Sequence, residues 1–520
     1  MKVLIVYPNL PMMITPATSV AIFTSILKSK DCTVDIFETT LYSDHQNAGM
    51  LYKSKLGGGR GYSLSDLGMD LQPTNMIVDD FVDKVSTFNP DLLLFSTVED
   101  TLGDTLLLLD SIAHLSIPHI VGGVLPINDP HFCLSHSQID TICRFEGELV
   151  LSTVIDNFED NWKDTDGLWY KKDGSIIKND NQPLVNINDI LPDYSLYNPV
   201  RFNRPIGGKV RPTIQFETYR GCPYSCTFCN SPTTRYLDKN YLRRKTMSQV
   251  KQEIQHYVDN FNPEYLFIID DSFLARPKKE IIELCNILHE FKLPWWCNTR
   301  LENVDKEILV AMEHGYCDRI QFGIECGSED YRREVLLRNV SNDLYYEKAD
   351  ILNNSSIPYG LNVIIGLPDE TREMVFETVD LVRSIQGYDG IGVSIFIPYR
   401  GTLLRQYAVD KGYLPSTFTS GSGYLLGGSP LVMPKPYLQR DEINDLSKKF
   451  KLYSYFDKMY WDDITEATDT SYFDDIYENN FYTKYAISGE LHKKRRKQSP
   501  WACAASDSVD IHNLFALSSI

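Results

Sequence analysis

The sequence predicts an α/β protein in three parts: an N-terminal doubly wound, Rossmann-like domain, a partial (β/α)6 barrel, and a mainly helical C-terminal region. Three observations lead there. Short apolar strands alternate with helical periods over residues 1–145, the alternation resumes six times between 206 and 410, and it lapses beyond 410. The domains are therefore expected at 1–145 and 206–410, with a connector over 146–205 and a substrate-covering region over 411–520. At 520 residues the chain is too long for one ordinary core.

In the first part, Lys2 to Tyr7 reads as a buried strand, 16–30 as a helix, and Thr33 to Phe37 as a second strand. A helix over 76–88 precedes a strand from Leu92 to Ser96, and a helix near 104–115 precedes one from Ile117 to Val121. Such alternation builds parallel βαβ units, whose ligands lie at the carboxyl ends of the strands. Those ends carry Pro8-Asn9-Leu10, Ser96-Thr97-Val98-Glu99 and Gly122-Gly123-Val124. The paired glycines serve either a ligand approaching the backbone or a tight turn. The connector is rich in Asp, Asn, Lys and Pro, with a small hairpin suggested by Gly167 to Tyr170 and Ser175 to Ile177.

In the second part, strands are expected near 213–219, 265–270, 294–299, 319–325, 360–366 and 391–396. Helices follow near 246–260, 277–290, 304–314, 343–354 and 371–386. Six units are too few to close an eight-fold barrel, and the active site of such an array lies at the strand C-termini. Beyond it, Ser416 to Gly428 is rich in Gly and Ser, and Asp441 to Asp463 reads as one amphipathic helix. Trp461, Tyr472, Phe473 and Tyr477 are either ordinary core or the lining of an apolar substrate cavity.

The net charge of −19 disfavours a nucleic-acid partner, and the basic run 492–497 reads as a solvated tail. The opening apolar run ends at Pro8, too short for a signal peptide, and no stretch reaches the length of a membrane span. With eleven unevenly spaced cysteines arguing against a disulfide framework, a cytoplasmic location and no membrane partner are expected.

Three of those cysteines stand in Cys222-Pro-Tyr-Ser-Cys226-Thr-Phe-Cys229, directly after the first barrel strand and so at the functional end. Three thiolates can hold three irons of a [4Fe–4S] cubane and leave the fourth iron open. Zinc is the alternative, with His256 as a fourth ligand, although His256 falls inside a predicted helix. Cys285, Cys297, Cys317 and Cys326 read as packing thiols.

The loop, with Phe228 before its last cysteine, resembles the signature of radical S-adenosylmethionine (SAM) enzymes. The resemblance implies that Cys222, Cys226 and Cys229 bind the cluster, that SAM chelates the open iron, and that an electron delivered there cleaves SAM to a 5′-deoxyadenosyl radical. Further stretches are similar to the same family. Asp270-Asp271-Ser272 stands where its members contact the SAM amino group, and Ile320 to Glu325 where they meet the ribose and carboxylate. Asn362 to Thr371, including Gly366, is similar to the segment lining the adenine, with Glu370-Thr371 alternatively capping the next helix. Pro398-Tyr399-Arg400-Gly401-Thr402 resembles the segment after strand six in one branch.

That branch carries an N-terminal cobalamin-binding domain, and Gly122-Gly123-Val124 and Arg144 to Glu148 resemble its glycine and Gly-Glu stretches. Ser96, Thr97, Gly122 and Gly123 are thus expected to contact cobalamin. The D-x-H-x-x-G motif that supplies a histidine to cobalt elsewhere is missing; the stretch at Asp44-His45 has the wrong spacing, and His119 and His131 read as structural. The resemblance covers about residues 1–410. It implies methylation of an unactivated carbon or phosphorus of a small molecule or peptide, with an electron donor such as flavodoxin or ferredoxin. Radical cyclisation or rearrangement is the alternative, methylthiolation a third reading, and a non-catalytic iron–sulfur protein a fourth.

Overall fold

The computed structural model describes residues 1–10, 13–44, 64–206, 209–421 and 428–467. His45, Cys503, Tyr472, Phe473, Tyr477 and the basic run lie outside them. Two seven-stranded sheets organise the rest. The first contains β1 (Lys2–Tyr7), β2 (Thr33–Glu38), β3 (Leu92–Ser96), β4 (His119–Gly122), β5 (Thr141–Cys143), β6 (Leu168–Lys172) and β7 (Ser175–Lys178), in the order β2-β1-β3-β4-β5-β6-β7. Its first five strands are parallel. Val3, Leu4, Ile5 and Val6 of β1 are all buried, because helices cover both faces of a parallel sheet. Chain order reverses between β1 and β3, which opens a crevice at their carboxyl ends.

The hairpin expected in the connector is present but belongs to this sheet: β6 pairs antiparallel with β5, and β7 with β6. Within these two sheets, two short strands were not foreseen. They are β5 and β8 (Asn203–Ile206), the latter an edge strand containing Pro205.

The second sheet joins β9 (Lys209–Phe216), β12 (Tyr265–Ile268), β13 (Trp295–Arg300), β14 (Cys317–Glu325), β15 (Tyr359–Ile365) and β16 (Gly390–Ile395) as six parallel strands. With β8 added antiparallel at one edge, the order is β16-β15-β14-β13-β12-β9-β8, an open half-barrel. A two-stranded ladder, β10 (Tyr219–Arg220) with β11 (Arg243–Arg244), ties down the start of the cysteine loop. Several helices start where a side chain caps free backbone N–H groups: Thr246, Asp305, Ser341, Thr371 and Thr402 each accept such a bond.

The helix expected over 441–463 is two, Arg440–Tyr455 and Trp461–Glu466, because the chain leaves helical geometry at Phe456 and Asp457 caps the short turn that follows. The longer one buries Ile443, Leu446 and Phe450 and packs against β16 and helix 372–385. Trp461 packs as core: its ring lies against Phe376 and Tyr453, at 5.2 and 5.5 Å between centroids. Among the described residues no helix is long and apolar enough to cross a membrane.

Gly123 marks the tightest turn of the first domain. Its φ is +102°, and a Cβ there would stand 2.5 Å from the Thr97 carbonyl oxygen. Gly123→Ala is expected to cost about 2–4 kcal/mol, read as a lowered Tm. Gly103→Ala, in a helix with nothing within 4 Å, should leave Tm unchanged or raise it slightly.

Candidate active site

The cysteine loop leaves β9 at Phe216 and is fixed at both ends. At its start Asp270 accepts from the backbone N–H groups of Thr218 (2.6 Å) and Tyr219 (3.0 Å) and from the Thr218 hydroxyl, and it pairs with Arg276. Asp270 is 2% exposed and its acceptor sites are filled by the protein. The expectation that it meets a cofactor is therefore not met; it braces the loop. Asp271, one residue on, is exposed, accepts from the Ser231 hydroxyl at 2.9 Å, and acts electrostatically on Cys222 and Cys229. Of the two acids it is the one presented to a ligand. Further along, Thr227 donates from its N–H to Leu336 and from its hydroxyl to Val335. Phe228 packs half-buried against the core.

Cys222, Cys226 and Cys229 are free, partly buried, and within electrostatic reach of one another. Burial pushes all three thiols up, Cys222 to about 11, while Arg338 and Arg300 act the other way on Cys226. Arg300 lies 3.8 Å from the Cys226 sulfur, its guanidinium carbon 3.7 Å from the centroid of the Tyr224 ring. Among the described residues no three His, Cys, Asp or Glu side chains converge on a single-ion site. Zinc would need thiolates gathered around one centre, with sulfurs about 2.3 Å from the metal. His256 lies on its helix, its Nε2 3.2 Å from the Pro192 carbonyl, and does not complete such a set. Three thiolates spread over one loop fit a cubane, which takes each on a different iron.

Glu325 ends β14 in the left-handed region, φ 67°, beside a register shift between Gly323 and Glu325. A non-glycine residue held there marks backbone strain at a strand end. Its carboxylate accepts from Arg338 at 2.9 Å and acts on Cys226 and Cys229, so the acid at the end of this apolar strand is paired. Asn362 lies on β15 and accepts from Gln321 at 2.8 Å. Gly366 has φ +75°, and a Cβ there would meet Ile443 of the 440–455 helix at 2.9 Å. Thr371 is the helix cap, and Glu370 turns back to accept the N–H groups of Gly366 and Leu367.

At the carboxyl end of the first sheet two cavities open. One, of about 440 Å³, lies between the domains: Asn9, Ser96 and Val124 face it from the first, Arg204, Gln215 and Asn230 from the second. The other, of about 320 Å³, is lined by Ser96, Gly122, Gly123, Phe23, Glu146 and Arg220 among others. Thr97 lines neither, since its hydroxyl is 2.9 Å from that of Thr105 and its N–H bonds Gly122, so the expected cobalamin contact through Thr97 is not found. Neither lining includes a histidine. His119 Nε2 accepts from the Asp140 N–H, and His131 packs at a tilt against Trp169, with ring centroids 5.6 Å apart; both are structural.

Two charged clamps, unforeseen from sequence, hold the domains around these cavities. Glu146 and Glu148 pair with Arg220, which also takes Glu217, and Glu146 pairs with Arg243. On the other side Glu99 accepts from the N–H groups of Arg400 (2.7 Å) and Ser420 (2.9 Å), and Arg400 pairs with Asp129 at 2.9 Å. Gly401, φ +82°, lets this segment approach Asn128, where a Cβ would stand 2.8 Å from that residue's own. The Gly-Glu and Pro-Tyr-Arg-Gly-Thr stretches were the only signals of these contacts.

Comparison with known proteins matches residues 216–382 to the radical SAM superfamily. The chain carries a radical SAM domain. Residues 35–155 match the B12 binding domain, so this radical SAM enzyme carries that domain ahead of its barrel. An uncharacterized methyltransferase of Pyrococcus horikoshii is 24% identical over 355 residues, 65% of this chain and 74% of that protein. The cytidylyl-2-hydroxyethylphosphonate methyltransferase of Streptomyces wedmorensis is 25% identical over 384 residues, 65% of this chain and 70% of that one. The structure of the radical SAM methyltransferase TsrM from Kitasatospora setae, with cobalamin and a [4Fe-4S] cluster bound, superposes with a TM-score of 0.60. It is 14% identical, covering 96% of this chain and 99% of that one.

The radical SAM domain implies a [4Fe–4S] cluster and SAM, and the first domain implies cobalamin. The interdomain cavity fits the latter: the buried atoms Asn128 Oδ1, Asn230 Oδ1 and Arg400 Nε on its wall have no hydrogen-bond partner, and a corrin periphery of carboxamides can bond such groups.

Asp270→Asn removes one partner of a buried ion pair and is expected to cost about 3–5 kcal/mol, with the iron content of the reconstituted radical SAM enzyme falling in parallel. Glu370 yields a pH prediction. Burial raises its carboxyl from 4.5 to about 8, outweighing its two backbone N–H donors. Between these values the folded state keeps a proton that the unfolded chain has lost, so stability falls as pH rises, by up to about 1.4 kcal/mol per pH unit. Glu370→Gln should flatten that slope in Tm measured from pH 5 to 8.

Proposed function

We propose that this radical SAM enzyme is a cobalamin-dependent methyltransferase acting on an unactivated carbon or phosphorus of a small molecule or peptide. One observation carries the reading: a single chamber is bounded on one side by the strand ends of the B12-binding domain and on the other by Asn230, the residue after Cys229. A substrate there lies between the two places where the cofactors would be held. The cluster and SAM, when bound, supply the radical that removes a substrate hydrogen, and cobalamin supplies the methyl group.

The chain's own residues hold and orient. Cys222, Cys226 and Cys229 take the cluster, Asp271 stands ready for the SAM amino group, and Glu325 with Arg338 sets the charge beside the thiols. Ser96, Gly122 and Gly123 line the pocket at the carboxyl end of the first sheet. The clamp through Glu99 and Arg400 stands in the chamber wall, where it would help to keep water from a reactive radical. An external donor such as flavodoxin or ferredoxin would deliver the electron.

The test is anaerobic reconstitution with iron, sulfide and hydroxocobalamin, followed by reduction with SAM present. Cobalamin should survive gel filtration, and 5′-deoxyadenosine should form in wild type and vanish in Cys226→Ala together with the cluster absorbance. Retained cluster and 5′-deoxyadenosine without retained cobalamin would move the reading to cyclisation or rearrangement. Absence of SAM cleavage under every reductant would sink it.

A further inference from the structure

Among the described residues eight arginines are buried, and seven of them are answered. Arg201 meets Glu38, Arg300 Glu302, Arg319 Asp389, Arg338 Glu325, Arg400 Asp129 and Arg405 Glu99, while Arg332 donates to the carbonyls of Val340 and Cys326. Arg204 is the eighth. It is 5% exposed, and among the described residues its guanidinium has no hydrogen bond and no carboxylate. It lies against two rings, 5.5 Å from the centroid of Phe267 and 5.8 Å from that of Trp296, and it lines the interdomain chamber. Burial pulls its pKa down to about 10, which still leaves it charged at neutral pH.

A buried cation with no counter-charge is among the costliest arrangements a protein can hold. Stacking on aromatic faces recovers part of that cost and leaves the planar fork directed edgewise, the geometry that binds carboxylates and phosphates with two parallel hydrogen bonds. The anion it lacks has to come from outside the chain. We propose that Arg204 binds an oxyanion of the substrate, a carboxylate or a phosphonate, on the barrel side of the chamber.

The assignment rests on the reading of the chamber as the substrate site. Arg204 is not among the charges acting most strongly on the three thiols, which are Arg300, Arg338, Glu325 and Asp271, so a carboxylate of SAM at the cluster would have Arg300 and Arg338 as its nearer cations. Asn9 and Ser96 face the same space from the B12-binding domain. Arg204 comes from β8, opposite Arg211 of β9, and shares the chamber lining with Gln215.

Isothermal calorimetry on the chain loaded with cluster, cobalamin and SAM tests this without turnover. The probes are 3-phenylpropionate, phenylphosphonate and the neutral 3-phenylpropanamide. One anion should bind about tenfold or more tighter than the amide, the worth of one charge-assisted contact, and which anion does so separates a carboxylate from a phosphonate substrate. Arg204→Met should abolish that preference and Arg204→Lys retain part of it. Without ligand, Arg204→Met should melt about 2–4 °C higher, because an unpaired buried charge is gone; a purely structural arginine would give a lower Tm.

Equal binding of amide and anion, no saturable anion binding, an unchanged preference in Arg204→Met, or anion binding that disappears when cobalamin is loaded would each overturn the proposal. The last outcome would give Arg204 to the corrin. A wild-type chain that binds the anion but never cleaves SAM would instead sink the radical reading and leave the anion site standing.

Discussion

The arrangement depends most on the guanidinium of Arg220. It stands two residues before Cys222 and gathers carboxylates from both domains: Glu217 at the end of β9, and Glu146 and Glu148 after β5. Burial alone would lower its pKa, but the three carboxylates outweigh burial and hold it well above its ordinary value. Such a node contributes modest net stability, because desolvation cancels much of the attraction, yet it is costly to break on one side only. Its value is positional. It forces the cysteine loop and the B12-binding domain to share one boundary, and Arg243, paired with Glu146 from the β10–β11 ladder, repeats the tie.

The opposite clamp works by different chemistry. Glu99 is buried and raised by that burial, but backbone N–H groups from Arg400 and Ser420 and the charges of Arg405 and Arg400 oppose the shift. Tyr399 reaches Asp100 at 3.0 Å, and the Arg400 guanidinium lies 3.4 Å from the centroid of the Phe132 ring. Residues around 100, 130, 400 and 420 are thereby drawn together. The half-barrel is open, and the domain that carries β3 supplies a wall of the chamber. One hydrophobic cluster runs without a break from Val3, Ile5 and Leu94 of the first domain to Ile320 and Leu361 of the barrel, while a second fills the other face of the first sheet.

Most of the fold was legible because it rests on period. β1 and β3 end where expected, and the six barrel strands fall within a few residues of their expected limits, since buried parallel strands write long apolar runs. β5 and β8 were not, because three or four residues including a proline carry no period; their places come from the neighbours they pair with. The cysteine loop was legible as chemistry. The division of labour at Asp270 and Asp271 was not, for adjacent acids look alike until Thr218 and Arg276 are seen to take one of them. Gly123 and Gly366 were recognised as close approaches, but the approaching groups are Thr97 and Ile443 of this chain.

The clamps and Arg204 were invisible for a common reason: each depends on contacts between residues from tens to hundreds of positions apart, and no local pattern encodes them. Their electrostatics differ in a way that bears on function. At the clamps every charge is answered, as a permanent interface requires. At Arg204, and at the unpartnered atoms of Asn128 and Asn230, the chain leaves polar groups buried and unanswered beside the same chamber. A folded protein retains such groups against their cost when a ligand completes them. The chamber is therefore a site whose polar design is finished by what binds in it, with carboxamide-like partners suited to the asparagines and an oxyanion suited to the arginine.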